Sequence, residues 1–180
     1  TLLVHEKVAA EFLPALVARF GERKVELRGC DRTRTILGDG LAAATEEAFG
    51  AAHVICLNAG VAGSGGLHEQ TLTDWEWILG VNLMGVVHGL DAFLSGLIER
   101  DEGHVVVTAS VAGHTAYPGL GIYSATKHAA AVIAETLYNE LASSGSKVGA
   151  TALCPGFVDT GIFNSARNRP ERLTDTLPDL

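Results

Sequence analysis

Val54-Ile55-Cys56-Leu57-Asn58-Ala59-Gly60 is an apolar run that stops at a polar, glycine-containing turn. The pattern recurs twice. Val105-Val106-Val107 closes at Thr108-Ala109-Ser110, and a run over 147–153 leads through Cys154 to the breaker pair Pro155-Gly156. Short runs of this kind read as strands buried on both faces. Longer segments with a different period lie between them. Trp75, Leu79, Leu83, Val86, Leu90, Phe93 and Leu97 recur at steps of three and four, which predicts a helix over 73–100. Thr73 reads as its N-cap, with Glu76 completing a capping box. The alanine-rich stretch over 123–141 predicts a second long helix. Upstream, 24–30 alternates polar and apolar like a strand, and 41–49 reads as a helix ended by Gly50. Residues 1–6 read either as a strand or as the start of a helix to Phe20, which Pro14 would interrupt.

Alternating strands and helices with wholly apolar strands predict an α/β fold: a three-layer, doubly wound parallel sheet. In such sheets ligands bind at the carboxyl ends of the strands. Asn58-Ala59-Gly60, Ser110 and Pro155-Gly156 each follow a predicted strand end, so three distant segments converge on one edge. No repeat or linker divides the chain, so residues 1–180 read as one domain.

The chain has 180 residues, is 47% apolar and carries a formal net charge of −8 with no basic run. That balance disfavours a nucleic-acid or anionic-membrane partner. No apolar stretch reads as long enough to span a bilayer, and Thr1 opens no signal-peptide pattern. Cys30, Cys56 and Cys154 each sit in or beside an apolar run and read as buried free thiols, which suggests a cytoplasmic setting. No histidine pair has metal-ligand spacing with a supporting carboxylate, so no metal is expected.

The chemistry is carried by Tyr123 and Lys127, four residues apart in Tyr-Ser-Ala-Thr-Lys, with Ser110 upstream. Four residues are about one helical turn, which puts phenol and ammonium on one face. A phenol normally titrates near pH ~10, and a nearby cation favours the phenolate. A hydroxyl donor, a phenol and a cation around one oxygen suit proton exchange with a substrate and stabilisation of an alkoxide. Any hydride must come from a cofactor, because no side chain supplies one.

Five motifs in this order resemble the short-chain dehydrogenase/reductase family of single-domain Rossmann type. They are Asn58-Ala59-Gly60, Asn82 in Val-Asn-Leu-Met-Gly, Ser110, Tyr123-x-x-x-Lys127 and Pro155-Gly156-x-Val158-x-Thr160. The resemblance covers roughly residues 24–162. It implies that Tyr123 is the general acid/base and that Ser110 orients the substrate oxygen. Lys127 would assist Tyr123 and hold the ribose hydroxyls of a nicotinamide cofactor. Asn82 would kink its helix and support a water that links Lys127 to solvent. Asn58, Ala59 and Gly60 would line the adenine-ribose side, Asp31 would contact the adenine ring, and Pro155, Gly156, Val158 and Thr160 would meet the nicotinamide. His114, Tyr117 and Pro118 fall on the loop expected to face substrate, and Phe157, Ile162 and Phe163 on a possible apolar wall.

The sequence departs from the family in one large respect. The glycine-rich phosphate loop is not among its residues, and only 57 residues precede Asn58. The expectation is a Rossmann-type domain incomplete at both ends, lacking the first strand, loop and helix and the closing segment. On that alignment Leu2-Leu3-Val4 is the second strand and Glu6 sits where an acid binds the adenosine ribose, which favours NAD over NADP. The expected function is hydride transfer between NAD or NADP and a small secondary alcohol or ketone. The alternative is a catalytically silent dinucleotide-binding sensor or scaffold. A Ser/Lys hydrolase would leave Tyr123 without a role, and an epimerase or dehydratase fits the short chain less well. The two long helices resemble those that pair subunits of this family into homodimers or homotetramers.

Overall fold

The computed structural model describes residues 50–173. The predicted strand over 24–30, the helix over 41–49, Cys30, Glu6 and Asp31 lie outside the described residues. Three strands form a parallel sheet in sequential order: β1 (Val54–Leu57), β2 (His104–Thr108) and β3 (Gly149–Leu153). Their register places Ile55 beside Val105, and Val105 beside Ala150. The first crossover contains α1 (Leu72–Leu79), a π-helical segment (Gly80–Met84) and α2 (Gly85–Arg100). The second contains a 3-10 turn (Val111–Gly113) and α3 (Gly121–Ser143). This is the α/β, Rossmann-type parallel sheet that the alternation predicted.

One sheet face carries the main core. Ile55, Val105, Val107 and Ala150 are buried with Val86 and Leu97 of α2 and with Ala130, Ala131, Ala134, Leu137 and Leu141 of α3. Small alanine side chains let α3 lie close to the strands, and each fully buried valine or leucine contributes about 1.5–3 kcal/mol. The opposite face is less shielded: Cys56 and Val106 are half-buried and Thr151 is exposed.

Several local readings are corrected. The first helix is capped by Thr71, not Thr73. Thr71 Oγ1 accepts from Asp74 N at 3.2 Å, and Asp74 Oδ2 accepts from Thr71 N at 2.8 Å. Both Thr71-x-x-Asp74 and Thr73-x-x-Glu76 fit the pattern, and Thr73 instead holds Arg169 through its hydroxyl at 3.0 Å. The third strand starts at Gly149 because Asp101 claims the residues before it. Asp101, in a left-handed turn (φ 50°) closing α2, accepts from Ser146 Oγ, Lys147 N and Lys147 Nζ. The helical stretch Leu72–Arg100 runs for 29 residues and is long and apolar enough to cross a membrane by length and composition, contrary to the expectation that no stretch is. In the fold, its Val86 and Leu97 pack into the core instead. Cys56 and Cys154 are half-buried rather than buried: Cys56 lies on the less shielded face of β1, and Cys154 follows the end of β3 against the rim of the core.

A second apolar cluster joins Val61, Trp77, Ile78, Ile122 and Leu173. It fastens the chain after β3 onto α1. The Arg169 guanidinium lies 5.6 Å from the Trp77 ring centroid and pairs with Asp74. Burial pushes the Asp74 carboxyl up, but hydrogen bonds from Thr71 and Arg169 outweigh it and hold the carboxyl below its ordinary range.

Candidate active site

Lys127 is the hub of the carboxyl edge of the sheet. Its side chain is only 2% exposed, and Nζ donates to Thr108 O at the end of β2, at 2.7 Å. Burial lowers its pKa from 10.5 to about 8, with the Cys154 sulfur offsetting a little of that. An ammonium has three donors. The described residues accept one of them, so two are left for a ligand. Nζ also lies 5.7 Å from the centroid of the Tyr123 ring, as expected one helical turn away. Tyr123 is half-buried in the first turn of α3, and its hydroxyl has no partner among the described residues.

Ser110 is brought to this hub by backbone packing. It is 7% exposed, in extended conformation at the exit of β2, and its Oγ accepts from Ala112 N at 3.1 Å. The hydroxyl therefore keeps its own proton for donation outward. Behind it, the 3-10 turn presses on α3. A Cβ at Gly113 would stand 2.7 Å from Lys127 O, so only glycine allows this approach. Val111 N donates to Pro155 O at 2.9 Å, which joins the exits of β2 and β3. Asn58 Oδ1 accepts from Thr108 Oγ1 at 3.0 Å, which joins the exits of β1 and β2.

Asn82 is 1% exposed and lies in the π-helical segment, where the helix departs from regular geometry as the resemblance implied. Its Oδ1 accepts from Val61 N at 2.8 Å, and its Nδ2 donates to Val61 O at 2.9 Å and Thr126 Oγ1 at 3.0 Å. Thr126 in turn donates to Tyr123 O at 2.8 Å. One amide thus ties the Asn58-Ala59-Gly60 turn to the first turn of α3. Gly60 lies over the ammonium, and a Cβ there would be 3.4 Å from Lys127 Nζ.

The structure therefore gathers Ser110, Tyr123, Lys127, Asn82, Asn58, Ala59, Gly60, Pro155 and Gly156 at one edge. It does not bring Val158 or Thr160 against the hub. Both are exposed, and the Thr160 hydroxyl caps a 3-10 helix (Gly161–Asn168) by accepting from Ile162 N at 3.4 Å. Phe157 and Phe163 stack at 6.5 Å and Tyr117 meets Phe157 edge-on at 6.4 Å; all three are exposed, and Ile162, named for the same wall, is half-buried and not part of the stack. Three supporting residues escaped the sequence reading: Thr108, Gly113 and Thr126. Thr108 meets Lys127 through its carbonyl, which leaves no trace in residue type, and Asn58 through its hydroxyl. Among the described residues no cluster could hold a metal ion.

The spare donors of a buried ammonium, with backbone glycine above it, fit a vicinal diol such as the ribose of a nicotinamide nucleotide. Comparisons with known proteins identify the family. The sequence profile of the short chain dehydrogenase family matches residues 4–171. An uncharacterized oxidoreductase of Staphylococcus saprophyticus is 32% identical over 150 residues, covering 83% of this chain and 61% of its own length. An uncharacterized NAD-dependent oxidoreductase of Mycobacterium tuberculosis is 38% identical over 155 residues, covering 86% of this chain and 52% of its own length. A crystal structure of a short chain dehydrogenase/reductase from Burkholderia phymatum, in complex with NAD, superposes with a TM-score of 0.79 at 41% identity. It covers 93% of this chain and 61% of its own. This chain thus spans between half and two thirds of the length of these relatives. On motif, site and fold together, the chain belongs to the short chain dehydrogenase family.

Proposed function

We propose that the protein is an NAD(P)-dependent oxidoreductase acting on a small secondary alcohol or ketone, with NAD favoured over NADP. The observation that carries this reading is the buried Lys127, one turn from Tyr123, with two of its donors and the Tyr123 hydroxyl unpartnered among the described residues. A bound nicotinamide would supply or accept the hydride. Ser110 donates its hydroxyl proton to the substrate oxygen and fixes its direction. Tyr123 exchanges a proton with that oxygen, and the Lys127 cation stabilises negative charge on the phenol. The two free donors of Lys127 hold the ribose hydroxyls. Asn82 keeps Gly60 and Tyr123 in register and supports a water leading from Lys127 to solvent. Asn58, Ala59 and Gly60 line the nucleoside side, and Pro155 and Gly156 the nicotinamide side, with Val158 and Thr160 exposed on the segment that follows. The NAD preference draws on Glu6 and on the NAD named for two relatives. Exposed apolar residues on α2 (Val87, Ile98) and α3 (Val132, Tyr138) support pairing of copies into a homodimer or homotetramer, read by light scattering.

The test follows nicotinamide absorbance with a panel of secondary alcohols and ketones. Turnover that disappears in Tyr123→Phe while NAD affinity persists is the expected result. NAD binding without turnover of any panel member refutes the enzyme reading in favour of a dinucleotide sensor.

A further inference from the structure

A thiol and an imidazole meet at the end of β3, beside Lys127 but with no role assigned above. Cys154 Sγ lies 3.3 Å from His114 Nε2. Cys154 is half-buried and His114 is exposed, so the pair is reachable from solvent. The sulfur is also close enough to Lys127 for the two groups to interact electrostatically. A nucleophile, a base within hydrogen-bond reach and a neighbouring cation are the elements of an activated thiol. Phe157, three residues on, and its partner Tyr117 add exposed aromatic surface nearby.

We infer that Cys154 is a site of covalent modification by uncharged, soft electrophiles of the α,β-unsaturated carbonyl class, with His114 as its base. The sulfur lone pair forms the S–C bond to the β-carbon. The carbon–carbon π electrons move to the α-carbon and carbonyl oxygen as an enolate. His114 takes the thiol proton and returns it to the α-carbon. No oxidant is needed and nothing leaves. The Lys127 ammonium favours the charge that develops on sulfur and enolate, and it repels cationic reagents. The aromatic surface favours apolar ones. An adduct on Cys154 would stand beside Lys127 and Pro155; that it also excludes the cofactor rests on the oxidoreductase reading.

The test treats the intact protein with limiting N-ethylmaleimide and reads each cysteine by peptide mass spectrometry over time. Cys154 is expected to react about tenfold faster than Cys56, and His114→Gln and His114→Ala to slow Cys154 by about tenfold or more. The rate at Cys56 in the same samples normalises for any change of fold. Equal rates at Cys154 and Cys56, or a normalised Cys154 rate unmoved by both His114 variants, overturns the proposal. Calorimetric NAD binding before and after alkylation reads the exclusion. Loss of binding supports it, and equal binding overturns it. Absence of binding in the unmodified protein counts against the oxidoreductase reading instead, while the alkylation rates still decide the site.

Discussion

Lys127→Met should change how stability depends on pH, in a direction fixed by burial. The lysine titrates near 8 in the folded protein and near 10.5 in the open chain. Below pH 8 it is charged in both states, and the folded state bears the full cost of an ammonium held in a dry place. Above 10.5 it is neutral in both, and that cost is gone. Between the two values the unfolded chain binds the extra proton, so stability rises with pH. The gap between 10.5 and about 8 corresponds to roughly 3 kcal/mol, at about 1.36 kcal/mol per pH unit. Methionine has similar length and no charge, so it removes this dependence and keeps most of the packing. The assay is urea unfolding of the cofactor-free protein from pH 7 to 10.5 for both forms. The stability of the wild type minus that of the variant should climb by roughly 3 kcal/mol across the window. A flat or falling difference refutes the argument that Nζ is buried and desolvated as described.

The other predictions concern the supports of the same hub. Asn82→Leu strands the buried N–H and C=O of Val61 and should cost about 2–4 kcal/mol by urea unfolding; a loss below about 1 kcal/mol would mean that Val61 is satisfied another way. Gly113→Ala places a Cβ against Lys127 O and should lower stability by about 1–3 kcal/mol and slow turnover more than it weakens NAD binding; unchanged kcat speaks against a link between this turn and Ser110. Near pH 9 most Lys127 side chains are neutral when folded, so NAD binding that needs the cation should take up a proton. Calorimetry in buffers of differing ionisation enthalpy measures that uptake, and proton release would contradict it.

The parallel sheet and the convergence of three strand exits were legible because they depend on hydrophobic period, which residue type carries directly. The Tyr123–Lys127 relation was legible because helical spacing alone dictates it. The first helix cap was misplaced because Thr71 and Thr73 each have an acid three residues on. Only the tertiary contact from Arg169 to Thr73 and Asp74 separates them. The start of β3 was read two residues early because Lys147 and Val148 fit an alternating pattern, while Asp101, 46 residues away in sequence, holds Lys147 in the corner. The partner of the Lys127 ammonium is a backbone carbonyl, which any residue at 108 would offer, so no sequence signal marks it. Val158 and Thr160 match the motif in letters, but the sequence does not show that they are exposed and that the Thr160 hydroxyl caps the 3-10 helix after it.

The bond from Val111 N to Pro155 O separates two construction schemes within one site. Among the described residues, several contacts that set Ser110, Tyr123 and Lys127 come from residues 58–127: the Thr108 carbonyl, the Gly113 contact and the Asn82 amide. The outer wall from Gly156 onward follows that crossbar, touches Tyr117 through Phe157, and is moored at its far end by Ser165 to Ala62 and by Arg169 to α1. The span between is a cassette. Grafting a foreign loop between Gly156 and Asn164 would exchange the surface a substrate meets, while the proton-handling chassis stays bolted to the sheet.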